Sequence, residues 1–299
     1  MTQTVVETDA AQSPKDFHIF GCGISFSVSP TIHNAGFRHL NVPYNYDIQE
    51  SASIDDVAGL IANERFGGAS VTMPHKLHVH KFCKEQTDTA RLIGAINTLV
   101  VRSSGNQRVI IGDNTDWSGL YSIITNYAEG MKGDRSPKVG LVIGAGGASR
   151  AALYSMYRSG LQQTYVVNRT QANAEQIKAN FAETFNIIVL ASLQDLPCLP
   201  DIIIGTVPAD VTTEEQFSSI FKTEGLCIDM AYKPRQTPLL TAAQRNKGWS
   251  TVTGLEVLLA QAYDQFRLWT DLEAPVEEMK EAVALHEIEK ERKAVSNIL

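Results

Sequence analysis

Along most of the chain, short apolar runs alternate with segments in which apolar residues recur every three or four positions. The first pattern predicts strands and the second helices. Phe17 to Phe20 reads as a strand, and Pro30 to Leu40 as a helix with Ser29 at its N-cap and Pro30 at its first helical position. Tyr44 to Ile48 alternates like a strand, and Ile54 to Asn63 is amphipathic. Gly68 to Thr72 reads as a strand running into a second proline-started helix at Pro74. Thr98 to Val101 and Val109 to Ile111 predict a strand pair across the turn Ser103-Ser-Gly-Asn106. A helix over Asp113 to Tyr127 and a polar stretch from Gly130 to Pro137 follow.

Beyond Pro137 the alternation becomes more regular. Lys138 to Ile143 is a buried-type strand ending in Gly144-Ala-Gly-Gly-Ala-Ser149, with a helix to about Gly160. Thr164 to Asn168 is the next strand, followed by a helix to about Phe185, and Ile187 to Leu190, Asp201 to Gly205 and Leu226 to Asp229 are further short strands. Strand–helix alternation of this kind predicts an α/β fold, with a parallel sheet covered by helices on both faces. Leu255, Leu258, Ala262, Phe266 and Trp269 form the core-facing stripe of a long helix, and Pro275 to Val295 reads as a charged one.

Length and composition narrow the classes. A chain of 299 residues has room for two domains, and 43% apolar with 20% charged residues is an ordinary globular balance. With Lys and Arg at 26 and Asp and Glu at 33, the net charge is −7, and there is no long basic run. That argues against nucleic acid as a partner, and no apolar run is long enough for a membrane span. The expected ligands are small and polar. Cys22, Cys83, Cys198 and Cys227 form no C-x-x-C pair and read as reduced thiols. Met1 to Lys15 is polar and acidic, without an apolar h-region, and reads as a tail rather than a leader. The location expected is cytoplasmic.

The glycine-rich turn is the first candidate site. Gly144, Gly146 and Gly147 stand where a buried strand turns into a helix. Glycine there lets the backbone approach a pyrophosphate, and free N–H groups at the helix start face its charge. A tight turn alone would also use glycines, but the flanking strand and helix favour a dinucleotide. The second strand ends in Asn168-Arg169-Thr170, with no carboxylate before Glu175. A guanidinium and a hydroxyl suit a 2′-phosphate, where a carboxylate would repel it, so NADP is expected over NAD. Arg169 as a solvated helix-start residue is the bland alternative.

The second candidate is a set of polar turns: Ser27 to Pro30, Thr72 to Lys76, Asn97-Thr98, Asp113 to Asp116 and, far downstream, Gln261. Lys76, in the first turn of a helix starting at Pro74, would oppose the helix dipole, and a residue set against its local preference points to function. That placement would favour the neutral amine, and an ionised Asp116 close by would oppose it. Simpler roles exist for each: Ser29 as an N-cap, Asn114 and Asp116 as caps, Gln261 as a surface residue. His75, His78 and His80 do not have the spacing of a helical zinc pair, and no metal is expected.

Taken together these segments resemble the shikimate/quinate dehydrogenase family. The likeness runs from Phe17 to Trp269 through Ser27-Val-Ser29-Pro with His33-Asn34, Val71 to Lys76, Gly94-Ala-Ile-Asn97-Thr, Gly112 to Asp116, Gly144 to Arg150, Asn168 to Thr170, Asp229 to Tyr232, and Leu259 to Gln261. The wording around Met230-Ala-Tyr-Lys-Pro234 and Gly254-Leu-Glu-Val257 is most similar to the dehydrogenase domain of the fungal pentafunctional arom polypeptide. The resemblance implies reversible, NADP-dependent reduction of 3-dehydroshikimate to shikimate, an oxidoreductase step of aromatic amino acid biosynthesis. It implies two α/β domains: a substrate-binding catalytic domain, residues 1–115 plus 255–299, and a Rossmann-like parallel-sheet NADP-binding domain, residues 116–254.

By the same resemblance Lys76 and Asp116 are the catalytic pair, and Ser27, Ser29, Thr72, Asn97, Tyr232 and Gln261 bind substrate. Gly144, Ala145, Gly146, Gly147, Ala148, Ser149, Asn168, Arg169 and Thr170 bind the cofactor's phosphates, with Met230 and Gly254 at the nicotinamide. Two departures stand out. Phe26 replaces a frequent histidine, and Gln171-Ala-Asn173 lacks the second basic residue of many NADP-dependent members, which leaves NAD as a secondary cofactor. The rival readings are quinate as the substrate and a non-catalytic metabolite-sensing module. The expected assembly is a monomer or homodimer.

Overall fold

The computed structural model describes residues 13–105, 107–131 and 137–296. Most of Met1 to Lys15, the turn residue Asn106 and most of the polar stretch before Pro137 therefore lie outside the described residues. Among those described, the strands form two six-stranded sheets.

The first sheet has the order β2-β1-β3-β5-β6-β4. It is built from β1 (Lys15–Gly21), β2 (Tyr44–Glu50), β3 (Phe66–Val71), β4 (Glu85–Gln86), β5 (Thr98–Ser104) and β6 (Gln107–Asp113). β1 lies parallel to both β2 and β3, while β5 runs antiparallel to both of its neighbours. The cause is local: β5 and β6 are joined by a turn too short for a parallel crossover. Around this sheet lie α1 (Ser29–His39), α2 (Ala58–Ala62) and α3 (Asp88–Ile93).

The second sheet has the order β12-β11-β10-β7-β8-β9 and is parallel throughout. Its strands are β7 (Val139–Ile143), β8 (Gln163–Val167), β9 (Ile187–Leu190), β10 (Ile202–Gly205), β11 (Gly225–Asp229) and β12 (Trp249–Val252). The helices α4 (Asp116–Glu129), α5 (Gly147–Arg158), α6 (Gln171–Phe181) and α7 (Pro238–Gln244) accompany it. This is the Rossmann-like doubly wound order, whose switch point falls between β7 and β10, where ligands bind at the carboxyl ends of the strands. The central strands β7, β10 and β11 are nearly continuous apolar runs because both faces are covered. The expected parallel sheet is present; β12 and α7 carry too little periodicity to be read from sequence.

The chain then returns. α8 (Gly254–Thr270) buries Leu255, Ala262, Phe266 and Trp269 with Phe17, Ile32, Phe37 and Tyr46 of the first unit, and Met279 and Val283 of α9 (Val276–Ser296) join the same core. α4 packs against both α8 and α5, so it is a support shared by the two units. All four cysteines are free thiols. Among the described residues no helix is long and apolar enough to cross a membrane.

Three local expectations are corrected. Ser29 is the first residue of α1 rather than its cap; Val28 takes the cap position with no side-chain bond. Asp113 ends β6, and the following helix begins only at Asp116. Pro74 does not start an α-helix. It caps the single 3₁₀ turn His75–Leu77, which is followed after His78 by the 3₁₀ turn Val79–Phe82. Lys76 therefore sits in no helix dipole of consequence, and that rationale for its chemistry falls away.

His33 is buried at the centre of the first core, its ring 4.7 Å from Tyr46 and 4.8 Å from Trp269. Burial pulls its pKa from 6.5 down to about 3, against a smaller opposing contribution from the Gln265 side chain. Between those values the unfolded chain binds a proton that the folded one refuses, so stability falls as pH drops through 6.5 and keeps falling towards 3. Replacing His33 by Phe is expected to flatten the slope of unfolding free energy against pH by about 1.4 kcal/mol per unit between roughly pH 4 and 6. Urea titrations of both proteins check this.

Candidate active site

At the junction of the two units Lys76 Nζ donates to Asp116 Oδ2 at 2.5 Å. The side chains come from positions 40 residues apart and are 15% and 7% exposed. Water is largely excluded, so the ion pair is stronger than on a surface, and either charge left alone there would be costly. Asp116 is the first residue of α4, where the helix start also favours its carboxylate. Asn114 does the capping: its Oδ1 accepts from the backbone N–H of Asp116 at 3.0 Å.

Asn97 holds the carboxylate from the other side. Its Nδ2 donates to Asp116 Oδ1 at 2.9 Å and is shared with Thr115 Oγ1 and Gln261 Oε1, while its Oδ1 accepts from Thr115 N–H and the Thr98 hydroxyl, both at 2.7 Å. Gly94, in the left-handed region at φ 69°, ends α3 and turns the chain towards this position. Gln261 is not a surface residue. It is buried on α8, and its Oε1 accepts from the Thr115 hydroxyl at 2.9 Å.

These groups open on one cavity of about 220 Å³. Of the predicted catalytic, substrate and nicotinamide residues, Ser29, Thr72, Lys76, Asn97, Asp116, Met230, Tyr232, Gly254 and Gln261 all line it. Ser27 stands just behind, its hydroxyl donating to Ser29 Oγ at 3.2 Å. Burial pushes the Tyr232 phenol up, with a hydrogen bond to Ser27 opposing, so it remains a neutral donor across the physiological range.

Sequence reasoning missed Ser70 and Gln265, which also line the cavity. Gln265 Oε1 accepts from the Ser70 hydroxyl at 2.9 Å, and Ser70 Oγ accepts from the Tyr46 hydroxyl at 2.6 Å. Gln265 lies one helical turn after Gln261, so it shares that residue's face; the i, i+4 spacing was the available signal.

A second cavity, about 670 Å³, is lined by Gly144, Asn168, Arg169 and Thr170 among others, and no carboxylate side chain is among its walls. Arg169 is exposed, and among the described residues it has no acidic partner. Between the cavities lies the start of α5. Gly144 takes φ 120°, a conformation that L side chains rarely adopt, and a Cβ there would strike Thr206 Oγ1. Ser149 is fully buried, its Oγ 2.6 Å from Thr206 Oγ1 and accepting from Gly146 N–H at 3.0 Å. Its hydroxyl thus braces the turn from within. The next N–H groups of α5, from Gly147, Ala148 and Ser149, have no carbonyl within the helix, and no acidic residue occupies its first turn. Such a turn fits the diphosphate of a dinucleotide. His75, the buried member of the histidine cluster, is held by Ser51 at 2.9 Å; among the described residues no group of three metal-ligating side chains is assembled.

Comparisons with known proteins point to one family. Residues 19–99 match a family model described as the shikimate dehydrogenase substrate binding domain, residues 127–249 one described as shikimate/quinate 5-dehydrogenase, and residues 254–284 the shikimate 5′-dehydrogenase C-terminal domain. The pentafunctional AROM polypeptide of Schizosaccharomyces pombe is 37% identical over 282 residues, covering 90% of this chain and 18% of that protein. This chain thus spans less than a fifth of the length of that curated relative. The solved dehydroquinate dehydratase and shikimate dehydrogenase portion of S. pombe AroM superposes with a TM-score of 0.76 at 36% identity, covering 91% of this chain and 53% of that one. A shikimate 5-dehydrogenase from Thermus thermophilus, solved with NADP(H) and shikimate, gives 0.74 at 26% identity, covering 90% and 98%. The chain belongs to the shikimate dehydrogenase family of oxidoreductases.

Asn97→Ala would leave Asp116 Oδ1 and Thr115 N–H buried without their partner. A loss of about 2–3 kcal/mol in unfolding free energy is expected, measured by urea denaturation.

Proposed function

We propose that this chain is a shikimate dehydrogenase, interconverting 3-dehydroshikimate and shikimate with NADP. The observation that carries the reading is the Lys76–Asp116 pair at the wall of a cavity sized for one small polar ring and bordered by the start of α5. Residues 1–115 with 255–299 form the substrate unit in this reading, and 116–254 the cofactor unit.

When bound, the reduced nicotinamide supplies a hydride, that is, the electron pair that makes the new C–H bond. Lys76 supplies the proton. As the carbonyl π pair withdraws onto oxygen, the ammonium stabilises the developing alkoxide and delivers a proton to it, leaving a hydroxyl and a neutral amine that regains its proton from solvent. Asp116 cannot donate while both its oxygens accept hydrogen bonds; it keeps Lys76 aimed and orients the hydroxyl beside the reacting carbon. Ser27, Ser29 and Tyr232 offer hydroxyl donors to the substrate carboxylate, and Thr72, Asn97 and Gln261 grip ring hydroxyls. Gly144 to Ser149 hold the diphosphate, and Met230 and Gly254 border the nicotinamide.

NADP is preferred because the wall carrying Arg169, Asn168 and Thr170 has a cation and no carboxylate. A single arginine leaves measurable turnover with NAD. The reducing direction, as a step of aromatic amino acid biosynthesis, and a cytoplasmic location belong to the same proposal.

Four initial rates test it: shikimate and quinate, each with NADP and NAD, followed by nicotinamide absorbance. Shikimate with NADP is expected to be fastest; quinate turning over faster would reassign the substrate, and no turnover would favour a metabolite sensor. Lys76→Ala is expected to lower kcat by about 10²–10⁴-fold with a modest change in KM, and retention of kcat would remove Lys76 from the chemistry. Arg169→Ala is expected to cut the NADP-to-NAD ratio of kcat/KM by about tenfold or more; an unchanged ratio would refute the 2′-phosphate assignment.

A further inference from the structure

The glycines of the turn differ in what stands above them. A Cβ built on Gly146 meets nothing within 4 Å. A Cβ on Gly147 would lie 3.0 Å from Lys76 Cβ, 3.4 Å from Lys76 Cδ and 3.5 Å from Ala95 Cβ. Gly147 is the first residue of α5 and its φ lies outside the left-handed region, so its backbone does not require glycine. What requires a bare Cα is the stem of Lys76, packed against the turn from the other unit.

We propose that Gly147 is a positioning residue for the reaction: the cofactor turn seats the Lys76 stem directly, and a side chain at this position would displace the ammonium from Asp116. The inference rests on Lys76 being the proton donor. Lysine has four rotatable carbons, and the ammonium alone fixes only their end. Here the base of the residue is held by Ile96 N–H donating to the Lys76 carbonyl at 2.9 Å, the end by Asp116, and the middle by Gly147. Two of those three supports come from segments of the first sheet's surroundings and from α4; the third belongs to the helix whose start holds the cofactor. The turn therefore has two duties, and the residue that gives the diphosphate an N–H also gives the lysine its wall. A methyl at 3.0 Å is tighter than ordinary packing, so the stem must shift by some tenths of an ångström, and misplacement on the scale of an ångström costs rate steeply.

The test is Gly147→Ala, which keeps the N–H and suits a helix start. Its kcat is expected to fall about tenfold, while the dissociation constant of NADPH, read by nicotinamide fluorescence, stays within about twofold of wild type. The same substitution is then placed in the Lys76→Ala protein, where the stem is gone. There the same substitution is expected to cost at least several-fold less rate than in the wild-type background, since effects routed through one side chain do not add. Three results would overturn the inference: kcat within twofold of wild type in the single variant, an equal loss in both backgrounds, or a loss of NADPH binding that matches the loss of rate. Failure of the underlying reading is separate, because it appears as full kcat in Lys76→Ala alone.

Discussion

An ammonium and a carboxylate enclosed between two sheets must remain paired, since the interior offers neither of them enough water to stand alone. Lys76 and Asp116 meet under that constraint, and much of the surrounding structure serves to keep them there. Asn97 claims the second carboxylate oxygen, Thr115 and Gln261 claim Asn97, and Asn114 caps the helix on which Asp116 stands. Each partner is buried and bonded, so the network resists rearrangement and presents one charged group to the cavity in a fixed direction. The pair thus links structure to chemistry: the same contacts that make its burial tolerable also preorganise it.

The two sheets divide the work by their construction. The parallel one ends its strands at a switch point and offers a helix start to a dinucleotide. The mixed one lines the cavity with polar side chains from α1 and from the segments after β3 and α3. α8 ties them by bringing Gln261 and Gln265 back to the first unit after the chain has built the second. In the proposed function the reacting lysine stands on one unit and the cofactor turn on the other, so the chemistry depends on how closely they approach.

Much of this was legible along the chain. The parallel sheet and the apolar stripe of α8 follow from periodicity, and the glycine turn from its place between a buried strand and a helix. At Lys76 the sequence points to the right residue through the wrong cause: the segment after Pro74 makes only a 3₁₀ turn, and the lysine is exceptional for its buried partner rather than for a dipole. A serine before proline has the look of a cap, yet the Ser29 hydroxyl faces Ser27 and the cavity. The Tyr46–Ser70–Gln265 chain escaped notice since its members come from three elements far apart in sequence, and hydrogen bonds between them leave no periodic trace.

The claim at the centre is that Lys76 and Asp116 act as one device. A kinetic cycle of Lys76→Met, Asp116→Asn and the double variant, read as kcat for shikimate oxidation, tests it most directly. If the pair works as a unit, the double variant is no slower than the slower single variant within about threefold. Losses that multiply would mean two independent groups, and the account given for the site would be wrong.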